Sequence, residues 1–175
     1  GLLNVTEIST FTSPSHINTG VPTAMLFLNF SASGEQVNLT AINVSIAGSL
    51  TYGNFSNIMV YNDTNDILVF DLRNDTLLGT SSRINETTKN STVTFSSTFV
   101  VQQDKNASLF IVVNLTSNAY VNLSLRSNFS VNITGNESIT AQAGTVNLSN
   151  SLRVADSGLA NVTSLHATAE LFHVD

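Results

Sequence analysis

The sequence predicts an all-β fold, an antiparallel β-sandwich. Three observations carry this. Apolar and polar residues alternate with period 2 along most of the chain, as in strands with one face in a core. Clusters of Asn, Asp, Gly and Ser divide the runs, as turns require. No stretch of twelve or more residues keeps the apolar spacing of an amphipathic helix. Short strands spaced by turns then indicate a sandwich.

Strands are expected at Leu2–Ser9, Thr23–Ser31, Gln36–Ser49, Ile58–Tyr61, Ile67–Leu72, Ser91–Val101, Ser108–Thr116, Tyr120–Ile133, Ser138–Leu148 and Ser164–Val174. The second holds the apolar run AMLFL. In the third, Val37, Leu39 and Ala41 alternate, then Ile42, Val44 and Ile46 take the other parity. A β-bulge near Ala41–Ile42 keeps both sets inward; a strand crossing between sheets does the same. Asn62–Asp66 (NDTND) reads as a turn between two strands, and Asp104–Asn106 as another. The strand at Ser108–Thr116 carries LFIVV. Residues 121–134 read VNLSLRSNFSVNIT, polar and apolar in turn. In the last strand Leu165, Ala167, Ala169 and Leu171 share one face.

Length gives one domain with its own core. Three segments are expected: an N-terminal strand tail at 1–11, a polar linker at 12–20 (TSPSHINTG from Thr12), and a sandwich head at 21–175. Leu2, Leu3, Val5, Ile8 and Phe11 are the tail's apolar residues. Leu3 and Val5 share one face of it, Asn4 and Thr6 the other; Glu7 then breaks the parity.

Composition narrows the function. Only 10% of residues are charged, against a usual value of about 25%. Polarity comes from Asn, Ser and Thr, 66 residues together, beside 42% hydrophobics and two prolines, which is not a disordered composition. Six basic residues and a net charge of −6 cannot track a phosphate backbone, so no nucleic-acid partner is expected. There is no cysteine, hence no disulfide and no thiolate metal site. The apolar runs are far shorter than the ~20 residues of a membrane helix, so no membrane span is expected. No signal peptide is visible, and Gly1 is expected to begin a processed chain.

Seventeen of 22 asparagines stand in the triplet Asn-x-Ser/Thr. They are Asn4, Asn29, Asn38, Asn43, Asn54, Asn62, Asn74, Asn85, Asn90, Asn106, Asn114, Asn122, Asn128, Asn132, Asn136, Asn147 and Asn161. Ser and Thr make up a quarter of the chain, so chance gives about five or six such triplets. The triplet is the acceptor for N-linked glycan, attached outside the cytoplasm. Alternation along wet-faced strands also generates Asn-apolar-Thr, but it generates Ser-x-Ser as readily. Several glycosylated acceptors are therefore expected, as covalent groups rather than cofactors.

Catalytic and metal chemistry is not visible. His166 and His173 lie seven residues apart in one expected strand and point to opposite faces. His16 falls in the linker, and Glu170 lies about 13 Å along the strand from His166. Asp63 and Asp66 offer oxygens, but their turn lacks the glycine and the terminal glutamate of an EF-hand loop, so a solvated turn is expected in preference to a weak calcium site. No Gly-x-Ser-x-Gly elbow or phosphate-binding glycine loop occurs. Nothing in spacing supports a crosslink from Lys89 or Lys105. No catalytic residue, metal or cofactor is assigned, and the chain is not expected to be an enzyme. With only 12 carboxylates, little of the stability should depend on ionisation, so the fold is expected to tolerate acid.

A cysteine-free sandwich with a separable terminal strand and crowded glycan acceptors resembles the archaeal thread filament subunit, and more loosely the archaeal bundling pilins. The residues that carry this are the tail 1–11, the linker 12–20 and triplet-rich strands such as 121–134. The resemblance implies an immunoglobulin-like, pilin-like sandwich. It implies that the tail is a donor strand, with Leu2, Leu3, Val5, Ile8 and Phe11 entering the next subunit. The partners would be identical subunits in a head-to-tail polymer, since a heterologous contact that does not close makes a filament. The function implied is a structural subunit of an extracellular glycosylated pilus, a cell-surface filament for adhesion or cell–cell contact. The C-terminal strand Ser164–Val174 is the rival donor. A surface-layer or cell-envelope β-domain is the first alternative, and a secreted carbohydrate-binding module or enzyme the second.

Overall fold

The structure, a computed structural model, describes residues 2–7, 14, 16–65, 68–117, 119, 128–134, 138–142, 147–148, 155–156 and 160–163. Among the described residues thirteen strands follow in order: β1 (Leu2–Glu7), β2 (His16–Asn18), β3 (Thr23–Ser33), β4 (Val37–Gly48), β5 (Phe55–Asn62), β6 (Thr76–Ser81), β7 (Asn90–Val101), β8 (Asn106–Leu115), β9 (Asn128–Ile133), β10 (Ile139–Gln142), β11 (Asn147–Leu148), β12 (Ala155–Asp156) and β13 (Ala160–Thr163). A 3-10 turn, Tyr52–Asn54, precedes β5. The fold is all-β, as the alternation predicts. Among the described residues no helix is long and apolar enough to cross a membrane.

The strands form two layers. One runs β11-β1-β3-β8-β5-β6, and the other β7-β4-β9-β13-β2, with β10 beside β4 and β12 beside β9. Pairing is antiparallel except for β1 with β11 and β2 with β13. The layers meet at one corner, where Gly79 of β6 pairs with Phe95 of β7. Between them lies the main core. It takes Leu26, Leu28 and Phe30 from β3, Ile111 and Val113 from β8, Ile42 and Val44 from β4, and Phe129 and Val131 from β9.

A second apolar cluster covers the other face of the first layer: Ala24, Phe27, Met59, Tyr61, Phe110 and Val112, with Phe70 packed against it. Phe27 and Phe110 stack at 4.1 Å with planes 11° apart, and Phe70 meets Phe110 edge-on at 5.7 Å. Burial on both faces is why AMLFL and LFIVV are unbroken apolar runs.

The phase change in β4 is a bulge. Thr140 faces Ala41 while Ala141 faces Leu39, so β4 carries one extra residue there. Val37 and Leu39 enter the core before it, and Ile42, Val44 and Ile46 after it. On the other side Leu39 faces Phe99 but Ala41 faces Thr94, so β7 leaves β4 for residues 95–98. There Phe95 reaches Gly79, and Ser96 Oγ donates to the Leu78 carbonyl at 3.1 Å. The crossing between layers is thus made by β7.

Four expectations are corrected. Residues 68–72 form no strand: Leu68 has φ 60 and the loop folds back so that Phe70 covers the second cluster. β6, unexpected in the sequence, occupies Thr76–Ser81, where Gly79 lets the backbone of β7 approach closely. The segment 12–20 is more than a linker, since it contains β2 with Ile17 only 1% exposed in the core. The strand expected at residues 138–148 is divided: β10 pairs with β4 and β11 with β1, in different layers. The expected strand at 164–174, with His166, Glu170 and His173, lies outside the described residues.

Candidate functional site

Terminal-strand addition and glycan attachment are the two chemistries the sequence offers. β1 is seated in its own chain's first layer rather than standing apart. It pairs antiparallel with β3, Leu2 opposite Ser33 through Glu7 opposite Leu28. On its other edge Leu2 and Leu3 pair with Asn147 and Leu148 of β11. Leu3 is 1% and Val5 4% exposed, both in the main core, while Leu2 and Asn4 face outward. The alternation anticipated this parity. Each buried side chain contributes about 1.5–3 kcal/mol. Ile8 and Phe11 lie outside the described residues.

β1 belongs to one layer and β2 to the other, so residues 8–15 join strands of opposite layers. β2 is held by pairing of His16, Ile17 and Asn18 with Asn161, Val162 and Thr163, and by Gly20 donating to the Leu115 carbonyl at 2.9 Å. The expected linker 12–20 therefore includes the strand residues His16–Asn18.

The glycan acceptors divide by exposure. Asn4, Asn74, Asn85 and Asn106 are exposed. Asn29, Asn38, Asn43, Asn54, Asn62, Asn90, Asn114, Asn128 and Asn132 are half-buried. Asn38, Asn43 and Asn114 have amide oxygens that are buried without a hydrogen-bond partner. Ser45 of β4 faces Asn90 on one side and Asn132 on the other, so acceptors cluster on the outer face of the second layer. Asn85 shapes its own turn: Oδ1 accepts the N–H groups of Thr87 at 2.9 Å and Thr88 at 3.0 Å. Asn147 and Asn161 lie in β11 and β13. Asn122 and Asn136 lie outside the described residues.

The loop between β5 and β6 is exposed at Thr64, Asn65, Leu68, Val69 and 72–74, but its ends are buried. Asp63 and Asp75, at its two ends, are 4% and 7% exposed. Asp63 Oδ2 accepts the Leu68 N–H at 3.3 Å, and Asp75 Oδ2 accepts the Asp71 N–H at 2.7 Å. Asp71 in turn accepts the Arg73 N–H at 2.9 Å and an Asn74 Nδ2–H at 2.6 Å. Sequence reasoning passed over Asp71 and Asp75; the signal for Asp75 was an aspartate at the opposite end of the loop from Asp63. Among the described residues no three His, Cys, Asp or Glu side chains form a metal-holding group. Beside the loop, burial pushes the Tyr61 phenol above its ordinary pKa of 10.0.

No protein-family model matches the chain. No curated protein matches it either. Solved structures do. The Hadza microbial sialidase Hz136 is similar at TM-score 0.54 and 7% identity, over 86% of this chain and 30% of the sialidase. AvmM, which catalyzes macrocyclization in alchivemycin A biosynthesis, is similar at TM-score 0.43 and 9% identity, over 93% of this chain and 91% of AvmM. A family 123 glycoside hydrolase from Clostridium perfringens is similar at TM-score 0.36 and 14% identity, over 93% of this chain and 27% of the hydrolase. The chain thus spans less than a third of the sialidase it matches. At these identities the likeness concerns the β fold alone.

Proposed function

We propose that the chain is a structural subunit of an extracellular, glycosylated filament in which β1 of one copy completes the sandwich of the next. The observation that carries this is the seat of β1: a short strand with Leu3 and Val5 in the core, flanked by β3 and β11 and joined to the rest only through residues 8–15. Strand exchange re-makes every contact of that seat between two copies, so the two forms differ little in contact energy. Residues 8–15 reach roughly 26–29 Å when extended, enough to leave one sandwich for another. Main-chain hydrogen bonds give such a joint affinity, and the alternate side chains give it register. The contact is head-to-tail and does not close, which makes a fibre of identical subunits. The dense Asn-x-Ser/Thr acceptors support a sugar-coated, cell-surface setting, and the filament would serve adhesion or cell–cell contact.

Deleting residues 1–11 tests the reading. Polymerisation is expected to stop, and the tail added as a free peptide should raise the melting temperature of the truncated chain. Leu3→Asp with Val5→Asp should do the same damage as deletion. Filaments that persist after deletion, seen by negative-stain microscopy, would refute the proposal.

A second reading is a secreted carbohydrate-binding or carbohydrate-active β-domain. The likeness to a part of a sialidase favours it. It predicts monomers that retain a glycan column and no filaments in native cell-surface material.

A further inference from the structure

The acceptor triplets of β1, β3 and β8 lie in one register. Across β1 and β3, Asn4 is opposite Ser31, Val5 opposite Phe30 and Thr6 opposite Asn29. Across β3 and β8, Ser31 is opposite Asn106, Phe30 opposite Ala107 and Asn29 opposite Ser108. Three Asn-x-Ser/Thr triplets therefore share three rungs. Val5 and Phe30 take the core side, so Asn4, Asn29, Ser31 and Asn106 stand on the outer face of the first layer. In these rungs each asparagine directly faces serine or threonine, never another asparagine. The second layer repeats the rule: Asn43 of β4 is opposite Thr92, and Ser45 opposite Asn90 and Asn132.

The order matters because a strand's register is set by which shifts are costly. A shift of β1 by one residue, either way, turns Leu3 and Val5 out of the core and Asn4 into it. A shift of two that sets Asn4 opposite Ser33 puts Glu7 opposite Phe30, in the buried seat of Val5. A shift of two in the other direction is not opposed by the apolar pattern. Leu3 then takes the seat of Val5, and Val5 the place opposite Leu28, a core residue. That shift sets Asn4 directly opposite Asn29. Directly opposed Cβ atoms are about 4.5–5.5 Å apart, too close for two sugars side by side.

We propose that sugars on Asn4 and Asn29 fix the register of β1, by excluding the shift of two residues that its apolar pattern permits. The sugar on Asn4 is attached before β1 is seated, because the main-chain groups of a seated triplet are held in the ladder with β3. In the observed register Asn4 and Asn29 lie on a diagonal, about 7–8 Å apart, and both sugars point away from the core. This rests on the donor-strand reading only for which copy supplies β3; a strand seated in its own chain is held the same way. Asn128 and Asn161 form the contrast, since they face each other directly across β9 and β13. Asn128 Oδ1 also accepts the Ser49 hydroxyl at 3.3 Å. At that pair a chain has room for one sugar.

The test uses the full chain expressed in its own cells. Glycopeptide mass spectrometry should find sugar on Asn4 and Asn29, and a summed occupancy of Asn128 and Asn161 no greater than a single site. Register is read by Leu2→Cys with Ser33→Cys, an exposed pair directly opposite here and within disulfide reach; the chain has no other cysteine. Crosslinking should be near complete, and should fall about twofold or more when Thr6→Val or Ser31→Ala removes an acceptor triplet. Thr6→Ser and Ser31→Thr keep the triplets and should keep the yield, a rescue that a merely structural role of either hydroxyl does not require. A ladder of linked copies reports exchange between subunits, and links confined to one chain would refute the filament reading alone; in both cases the yields decide the role of the sugars. Bare Asn4, bare Asn29, both Asn128 and Asn161 filled, or an unchanged yield in Thr6→Val and Ser31→Ala would overturn the proposal.

Discussion

Gly79 and Phe95 face each other across the rung that joins the two layers, and the rung exists because Gly79 has no side chain. A Cβ there would collide with the Thr94 carbonyl oxygen and crowd the Phe95 Cα. Gly79→Ala should therefore destabilise the chain by about 1–3 kcal/mol as β7 is pushed off β6. Gly53→Ala is the control, since nothing lies within 4 Å of its added carbon. Denaturant melts of both variants compare them; equal midpoints would mean that the corner yields freely.

The seat of β1 makes a prediction for single residues. Leu3→Ala removes a side chain from the main core and should cost about 2–5 kcal/mol. Leu2→Ala, on the outward face, should stay within about 0.5 kcal/mol of the parent. Urea unfolding gives both values. A costly Leu2→Ala with a neutral Leu3→Ala would place the strand in the opposite register.

Asn85 separates turn formation from glycan attachment. Asn85→Ala loses the acceptor for the Thr87 and Thr88 N–H groups and should cost about 0.5–2 kcal/mol. Asn85→Asp keeps both bonds while removing the amide that a glycan needs. Its stability without glycan should match the parent. A mass shift between native parent and Asn85→Asp, read by mass spectrometry, reports whether Asn85 carries sugar; matching stability losses in the two variants would contradict the turn's role.

Tyr61 predicts the alkaline limit. Its phenol donates toward Met59 Sδ at 3.9 Å, and burial holds its pKa above 10.0 in the folded chain. The folded state keeps a proton that the unfolded chain releases near pH ~10. The contribution is complete below that pH and is lost as pH rises through the folded pKa. The parent's Tm should fall faster than that of Tyr61→Phe above pH ~10. Parallel curves would show that the phenol opens to solvent before it ionises.

Local pattern determined a great deal here. Period-2 alternation is a property of the strand itself, so the all-β class, the inward parity of Leu3 and Val5 and the phase slip at Ala41–Ile42 were legible without neighbours. The Asn-x-Ser/Thr triplets are equally local. What the sequence left open depends on which segments meet. Residues 68–72 have the composition of a strand, but an edge partner was not there to take them; Phe70 instead found Tyr61 and Phe110, and the loop folded over that cluster. β6 was hidden because the same glycine that signals a turn also permits two backbones to touch, and only the approach of Thr94 tells which applies. Residues 16–18 read as polar tether until β13 supplies a ladder and the core takes Ile17. The loop carboxylates behave likewise. Asp63, Asp71 and Asp75 are spread over thirteen residues, and only the pairing of β5 with β6 sets Asp63 and Asp75 at one buried neck. Alternation is written residue by residue, whereas burial, pairing and close approach are properties of two segments at once, and those the tertiary structure alone decides.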